Sequence, residues 1–207
     1  MRLRIPPGRA GRLWLRRRLS TVHHGLDVLD RKLRILRREH DRLTQNLART
    51  QAEWTSACRA ADEWLLRVTR LGGQRAVRLA AGDLTTDVRV YWADAVGTSY
   101  PVRVSCTLPE PGAAAPLPVT TALVPATQAY RAALRAGLEH AIATEAARIM
   151  AAEAASTDRR IRALKDHLLP RLEKALAAVE LSLDEMERAD IDRARRIIGS
   201  RAQPPSG

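Results

Sequence analysis

From Leu15 onward, apolar residues recur at alternating steps of four and three: Leu15, Leu19, Val22, Leu26, Leu29, Leu33 and Leu36, then Leu43 and Leu47 beyond His40. This is a heptad repeat, with Leu19, Leu26, Leu33, His40 and Leu47 in one of its two seam positions. A histidine in the seam either sets the register or is a tolerated interruption. The frame continues through Trp54, Ala57, Ala61, Trp64, Val68 and Leu71, and Gly72-Gly73 ends it. At 1.5 Å per residue the predicted arm is roughly 85 Å long. A helix of that length needs a partner along its seam.

A second helical stretch is predicted from about Gln128 to Ile198. Its seam reads Leu134, Leu138, Ile142, Ile149, Ile161, Leu164, Leu168, Leu172, Leu176, Val179, Leu183 and Met186. Around Pro170 the steps become four, four, four, a stutter that locally unwinds a supercoil. Pro170 also removes a backbone donor and predicts a kink. The Ala-rich run from Ala146 to Ala155 lets two helices approach closely. Together the arms predict a mainly α fold, a long antiparallel two-helix coiled coil with both termini at one end.

Between the arms the period changes. Asp87 to Trp92 and Val102 to Leu108 alternate with period two, and Gly97 and Pro101 fall between them, which predicts a short β-hairpin. Pro109 to Pro118 is a Pro/Gly/Ala loop. The expectation is one structural unit in three parts: an N-terminal arm, 1–71; a small head with the hairpin at the turn-around end, 72–126; and a C-terminal arm with its tail, 127–207. A lone hairpin is marginal in water, so it must pack on the helix ends or on another subunit.

Composition supports a thin seam over a thick core. Hydrophobic residues make up 45% of the chain, but aromatics only 3%, and Phe is absent, so Ala, Leu and Val fill the interior. Two cysteines, Cys58 and Cys106, build neither a disulfide framework nor a four-ligand zinc site and point to a reducing cytosol. No stretch approaches the roughly 18 apolar residues that span a bilayer. Beyond Arg16-Arg17-Arg18 the chain turns polar, unlike the apolar core of an export signal. A soluble, cytoplasmic protein is expected.

Candidate chemistry is sparse. Neither G-x-x-x-x-G-K-S/T nor G-x-G-x-x-G occurs, so no nucleotide-phosphate loop is recognisable. His23, His24 and Asp27 lack further metal ligands, and no acid/base pair stands out. The reading is therefore no catalytic residue, no cofactor-binding residue and no metal site.

Charge is more informative. Residues 1–50 hold fourteen Lys/Arg against four Asp/Glu, within a chain of formal net charge +12. Arg31, Arg34, Arg38 and Arg42 form a stripe at helical spacing. Nucleic-acid binding is one reading, although Trp14 alone offers no base-stacking platform. An antiparallel fold instead sets the first arm beside Glu173, Glu180, Asp184, Glu185, Glu187, Asp190 and Asp192, which meet part of the excess. The shared tip stays unmatched, where Arg2, Arg4, Arg9 and Arg12 join Arg193, Arg195, Arg196 and Arg201.

The run Pro7, Arg9, Leu13, Leu15, Arg16, Arg18, Leu19, Gly25, Leu26, Leu29, Lys32 and Leu33 resembles the opening of the D subunit of V-type/A-type rotary ATPases. Arg160 to Leu164, the Leu169-Pro170-Arg171-Leu172-Glu173 element, Leu183 to Arg188 and Arg193 to Arg196 resemble that family's ending. Val96-Gly97 and Tyr100-Pro101 resemble its central segment. The Ala/Pro-rich Pro109–Pro118 loop and the preference for Arg over Lys depart from it. The resemblance implies the central rotor shaft of an ATP synthase or ATPase, itself non-catalytic. Its terminal helices enter the ring of catalytic and regulatory A- and B-type subunits, its middle binds the small F subunit, and its far end seats on an adaptor above the membrane ring. It implies a peripheral place on the cytoplasmic face of the membrane without direct insertion. On that reading Arg9, Arg12, Arg16, Arg17, Arg18, Arg193, Arg195 and Arg196 contact the catalytic head, and Leu19, Leu26, Leu33, Leu164, Leu168, Leu172 and Leu183 form the seam. The alternative is a basic coiled-coil nucleic-acid-binding or scaffold protein; a self-assembling cytoskeletal coiled coil is a weaker third.

Overall fold

The computed structural model describes residues 4–80, 85–108 and 120–201. Arg2 and the loop expected at Pro109–Pro118 lie outside the described residues. The chain is mainly α: an antiparallel helix pair formed by its N- and C-terminal parts, with a two-stranded hairpin between them. Helix α1 is Gly8–Ala80, strands β1 and β2 are Asp87–Ala95 and Thr98–Thr107, and α2 is Leu123–Ala163. A π-helical turn, Leu164–Leu168, joins α2 to α3, Leu169–Arg201.

The chain divides into two compact units. The first combines Met1–Lys32 with Ser156–Gly207, and the second is Leu33–Ala155. In the first, Leu15, Val22 and Leu26 of α1 are buried, as are Ile161, Leu172 and Leu183 of the returning chain. Each fully buried side chain of this kind contributes roughly 1.5–3 kcal/mol. Leu19, Leu164 and Leu168 are half-buried. Lys165 reaches Asp30 at 3.2 Å and Arg16 reaches Glu180 at 2.7 Å, which sets the two arms of the pair antiparallel.

The stutter and Pro170 resolve into one feature. Proline has no N–H to donate and its ring crowds the carbonyl four residues earlier. The chain responds just before it with a π turn, in which the Leu169 N–H donates to the Leu164 carbonyl. A π turn takes up one extra residue, so the four-four-four spacing keeps Leu172 on the buried face.

In the second unit, Leu36 and Leu43 of α1 pack with Ala146, Ala147 and Met150 of α2 and with Tyr100 of the hairpin. Alanine supplies much of the α2 seam here: Ala133, Ala143, Ala146 and Ala147 are all buried, whereas Leu134 is 44% exposed. His40, at its seam position, is half-buried beside Asp41, the same depth class as Leu19 at its own. The buried polar residue of this unit is Thr50, 2% exposed, whose hydroxyl donates to the Leu47 carbonyl at 3.0 Å.

Gly73 breaks α1 with φ 67° and ψ −178°, and helix then resumes to Ala80. At the adjoining Gly72 the segment leading into α2 comes so close that a Cβ would lie 2.6 Å from the Thr120 methyl. The turn-around core is Val68 and Ala76 against Ala122 and Ala126.

The hairpin is longer than the alternation indicates, because β2 runs through Pro101. Ladder register shifts beside Tyr91 and Trp92, which pair with Arg103 and Pro101. A bulge is where a strand tolerates a residue without an N–H. Val96 and Gly97 make the turn with φ 52° and 76°, the positive pair that a two-residue hairpin loop requires. The turn-side half of the hairpin lies along the helices, with Ala95 and Tyr100 on the Leu36–Met150 cluster.

Candidate partner-binding surfaces

The first candidate surface is the end of the first unit that carries both termini. Pro6 and Pro7 lead into α1 and lie against Val179, Leu183 and Met186 of α3, around a cavity of about 320 Å³. Gly11 is required there, since a Cβ at that position would sit 2.0 Å from the Pro6 carbonyl oxygen. Arg9 pairs with Glu187 at 3.1 Å. The start of α1 is thus level with Glu187, and α3 continues to Arg201, roughly 20 Å of helix with no α1 beside it. Every side chain from Asp184 to Arg196 is exposed, including Met186 at 51% and Ile191 at 53%.

The expected head-contacting arginines divide into two groups. Arg9 and Arg16 are spent on Glu187 and Glu180 across the pair. Arg193 pairs with Asp190 at 3.5 Å along its own helix, and the Arg196 guanidinium donates to the Asp192 carbonyl. Arg12, Arg17, Arg18 and Arg195 have no ion pair among the described residues, with Arg12 half-buried and the others exposed. Exposed ion pairs of the first kind contribute about 0–1 kcal/mol each. Most of the charge excess resides in this unit: residues 1–32 and 156–207 hold 20 Lys/Arg against 11 Asp/Glu, while 33–155 hold 15 against 12.

The second surface is the hairpin and the helix flank beneath it. The Tyr100 hydroxyl donates to Glu39 Oε1 at 2.8 Å, and the Arg42 guanidinium holds the same carboxylate. Those Arg42 hydrogen bonds, helped by the Tyr100 hydroxyl, hold Glu39 below the usual carboxylate range against an opposing effect of burial. Burial, then Glu39, pushes the Tyr100 phenol up. No sequence signal links positions 61 residues apart, so periodicity and spacing do not reveal this clamp. Outside it, Val88, Val90 and Trp92 project from one face of β1, between 40% and 58% exposed.

Tyr100→Phe is expected to cost about 1–2 kcal/mol, because it leaves Glu39 short of a donor. A carboxylate held below its ordinary range stabilises the fold above that range, and the contribution is lost as pH falls through its folded value. Glu39→Gln is therefore expected to flatten the acid limb of a urea-denaturation series from neutral pH to roughly pH 4. Identical acid limbs for the two proteins would contradict the clamp.

Trp54 of α1 stacks on His140 of α2, ring centroids 5.1 Å apart, and Gly137 leaves room for the indole. Cys58 and Cys106 are unpaired and half-buried. Among the described residues no three His, Cys, Asp or Glu side chains gather as metal ligands, and no helix is long and apolar enough to cross a membrane.

Comparison with known proteins agrees with this architecture. A family model for the D subunit of ATP synthase matches residues 13–199. A stretch of 76 residues is 41% identical to the A-type ATP synthase D subunit of Methanopyrus kandleri, covering 37% of this chain and 33% of that relative. The matched stretch thus spans about a third of the relative's length. With a family match extending over most of its length, the chain belongs to the ATP synthase D-subunit family, whose members are stalk subunits of V/A-type ATPases.

Proposed function

We propose that this protein is the central rotor shaft of a V/A-type ATPase or ATP synthase. It turns within a ring of alternating catalytic and regulatory subunits and so couples ATP synthesis or hydrolysis to ion translocation. The observation that carries this reading is the lone basic extension of α3 beyond the start of α1, at the end that holds Arg12, Arg17, Arg18 and Arg195, none with an ion pair among the described residues. A two-helix element has no threefold symmetry. Its orientation therefore favours a different state in each surrounding catalytic site, which is what coupling requires: contact free energies that differ between orientations and site states. Nucleotide is handled by the surrounding subunits, and this chain supplies contacts, stiffness and asymmetry. Its other partners on this reading are the small F subunit, at the hairpin and adjoining helix flank, and an adaptor above the membrane ring. Its place is peripheral, on the cytoplasmic face of the membrane.

The test is purification of the tagged chain from its own cells at low and high salt, with ATPase assay of the eluate. Two large ATPase subunits with a small third are expected. Nucleic acid alone, without ATPase, would overturn the reading in favour of a basic coiled-coil nucleic-acid binder.

A further inference from the structure

We propose that the helix pair of the first unit carries a built-in bending point, made by Gly25 on α1 and by the π turn with Pro170 on the returning chain. Among the described residues, Gly25 is the one glycine that neither a positive φ nor a close approach requires. A Cβ built on it meets nothing within 4 Å. Glycine loosens a helix interior, because its backbone keeps more freedom than that of any other residue. At Gly11, Gly72 and Gly137 the loosening comes with a neighbour 3.0 Å or less from the built Cβ. At Gly25 no contact offsets it.

The returning chain is loosened as well. In a regular helix the Leu169 N–H would donate to the Lys165 carbonyl, and here it donates to Leu164. Pro170, the next residue, has no N–H to offer in its place. The Lys165 carbonyl is thus left without a main-chain donor, at an exposed position. None of the five residues of the π turn is buried.

Register brings the two weak points level. Arg16 faces Glu180, and Asp30 faces Lys165. Nine residues on from Arg16 is Gly25, and nine back from Glu180 is Arg171, next to Pro170. Between the two ion pairs α1 advances fourteen residues and the returning chain fifteen. The extra residue is the one that the π turn takes up, so the seam stays in step on both sides of it. Val22, Leu26 and Leu172 are buried around this level and hold the helices together while their ladders yield. A lone weak point in one helix is splinted by its regular neighbour; two at one level are not. The pair therefore flexes here, and the tip beyond swings as a stiff piece. The device needs nothing from the stalk reading. On that reading it lets the basic tip follow its surroundings without bending the seam elsewhere.

Amide hydrogen exchange of the isolated full chain, read by mass spectrometry, tests this. A helix pair that only frays loses protection steadily towards its tip. The bending point predicts an interior dip, with residues 22–29 and 164–172 exchanging about tenfold faster than the stretches on either side. Gly25→Ala adds a methyl group in open space. It is expected to slow exchange about two- to fivefold at 22–29, and across the pair at 164–172 as well. Pro170→Ala returns a donor to the other helix and is expected to slow the same two segments. Ala178→Gly, at an exposed α3 position away from the π turn, is the control and should speed exchange on α3 alone. Protection that falls steadily to the tip would overturn the proposal and leave Gly25 to a partner's close approach. Slowing confined to the substituted helix, or equal coupling across the pair in the control, would overturn it too.

Discussion

Leu33→Pro is expected to lower stability by more than about 5 kcal/mol, enough to abolish the cooperative fold. Two losses combine. Proline in a helix interior removes an amide donor and clashes with the carbonyl four residues earlier, about 3 kcal/mol. The leucine it replaces is 6% exposed, and emptying such a site costs roughly a further 2–5 kcal/mol. Leu33→Ala bears only the second cost and is expected to remain folded. Pro170 shows what tolerating proline requires here, since it follows a π turn that re-routes the ladder, and α1 has no such turn at Leu33. Circular dichroism and urea denaturation of both variants check this. Retained helicity and an unchanged midpoint for Leu33→Pro would contradict the paired-helix account.

The second large effect is on association. Neutralising Arg12, Arg17, Arg18 and Arg195 to Gln is expected to weaken binding to the catalytic head about tenfold or more at low ionic strength, and to flatten its salt dependence. These cations have no ion pair within the chain among the described residues, so their charge is available to a partner. Arg9→Gln with Arg16→Gln is the internal comparison. Those side chains already face Glu187 and Glu180 and are 77% and 60% exposed, so their loss should change stability by no more than about 1 kcal/mol. It also releases two carboxylates near the head. Titration of both variants against the isolated head across salt separates the sets, and equal slopes for wild type and the fourfold variant would contradict the electrostatic role.

The heptad was legible because leucine at steps of four and three places one apolar stripe along a helix and little else produces it. Leu26, Leu33, Leu36 and Leu43 are all buried as that spacing requires. Beyond Leu47 the frame holds at Ala61 and Val68, each 1% exposed, but not at Trp54 and Leu71, which are 40% and 67% exposed. There the α2 side of the seam passes to alanines, which sequence alone cannot divide between seam and surface because alanine favours helix everywhere. Pro170 and the stutter pointed to a distortion at the right place, though not to its π form. The hairpin was readable from its alternation. Its clamp on α1 was not, since Tyr100 and Glu39 meet only once the hairpin lies along the helices. The tip arginines were readable as a group. Their division into paired and unpaired depends on the antiparallel register, which places Glu187 and Glu180 opposite Arg9 and Arg16.

Rotation of this chain against its surroundings tests the central claim most directly. A bead tethered at the exposed Val96-Gly97 turn of the full chain, in an ATPase complex immobilised through its catalytic head, reports that motion under ATP. The shaft account predicts unidirectional stepping with threefold periodicity that stops when ATP is withdrawn. A bead that stays fixed while the same complexes hydrolyse ATP would place this chain in the stationary frame and contradict the account.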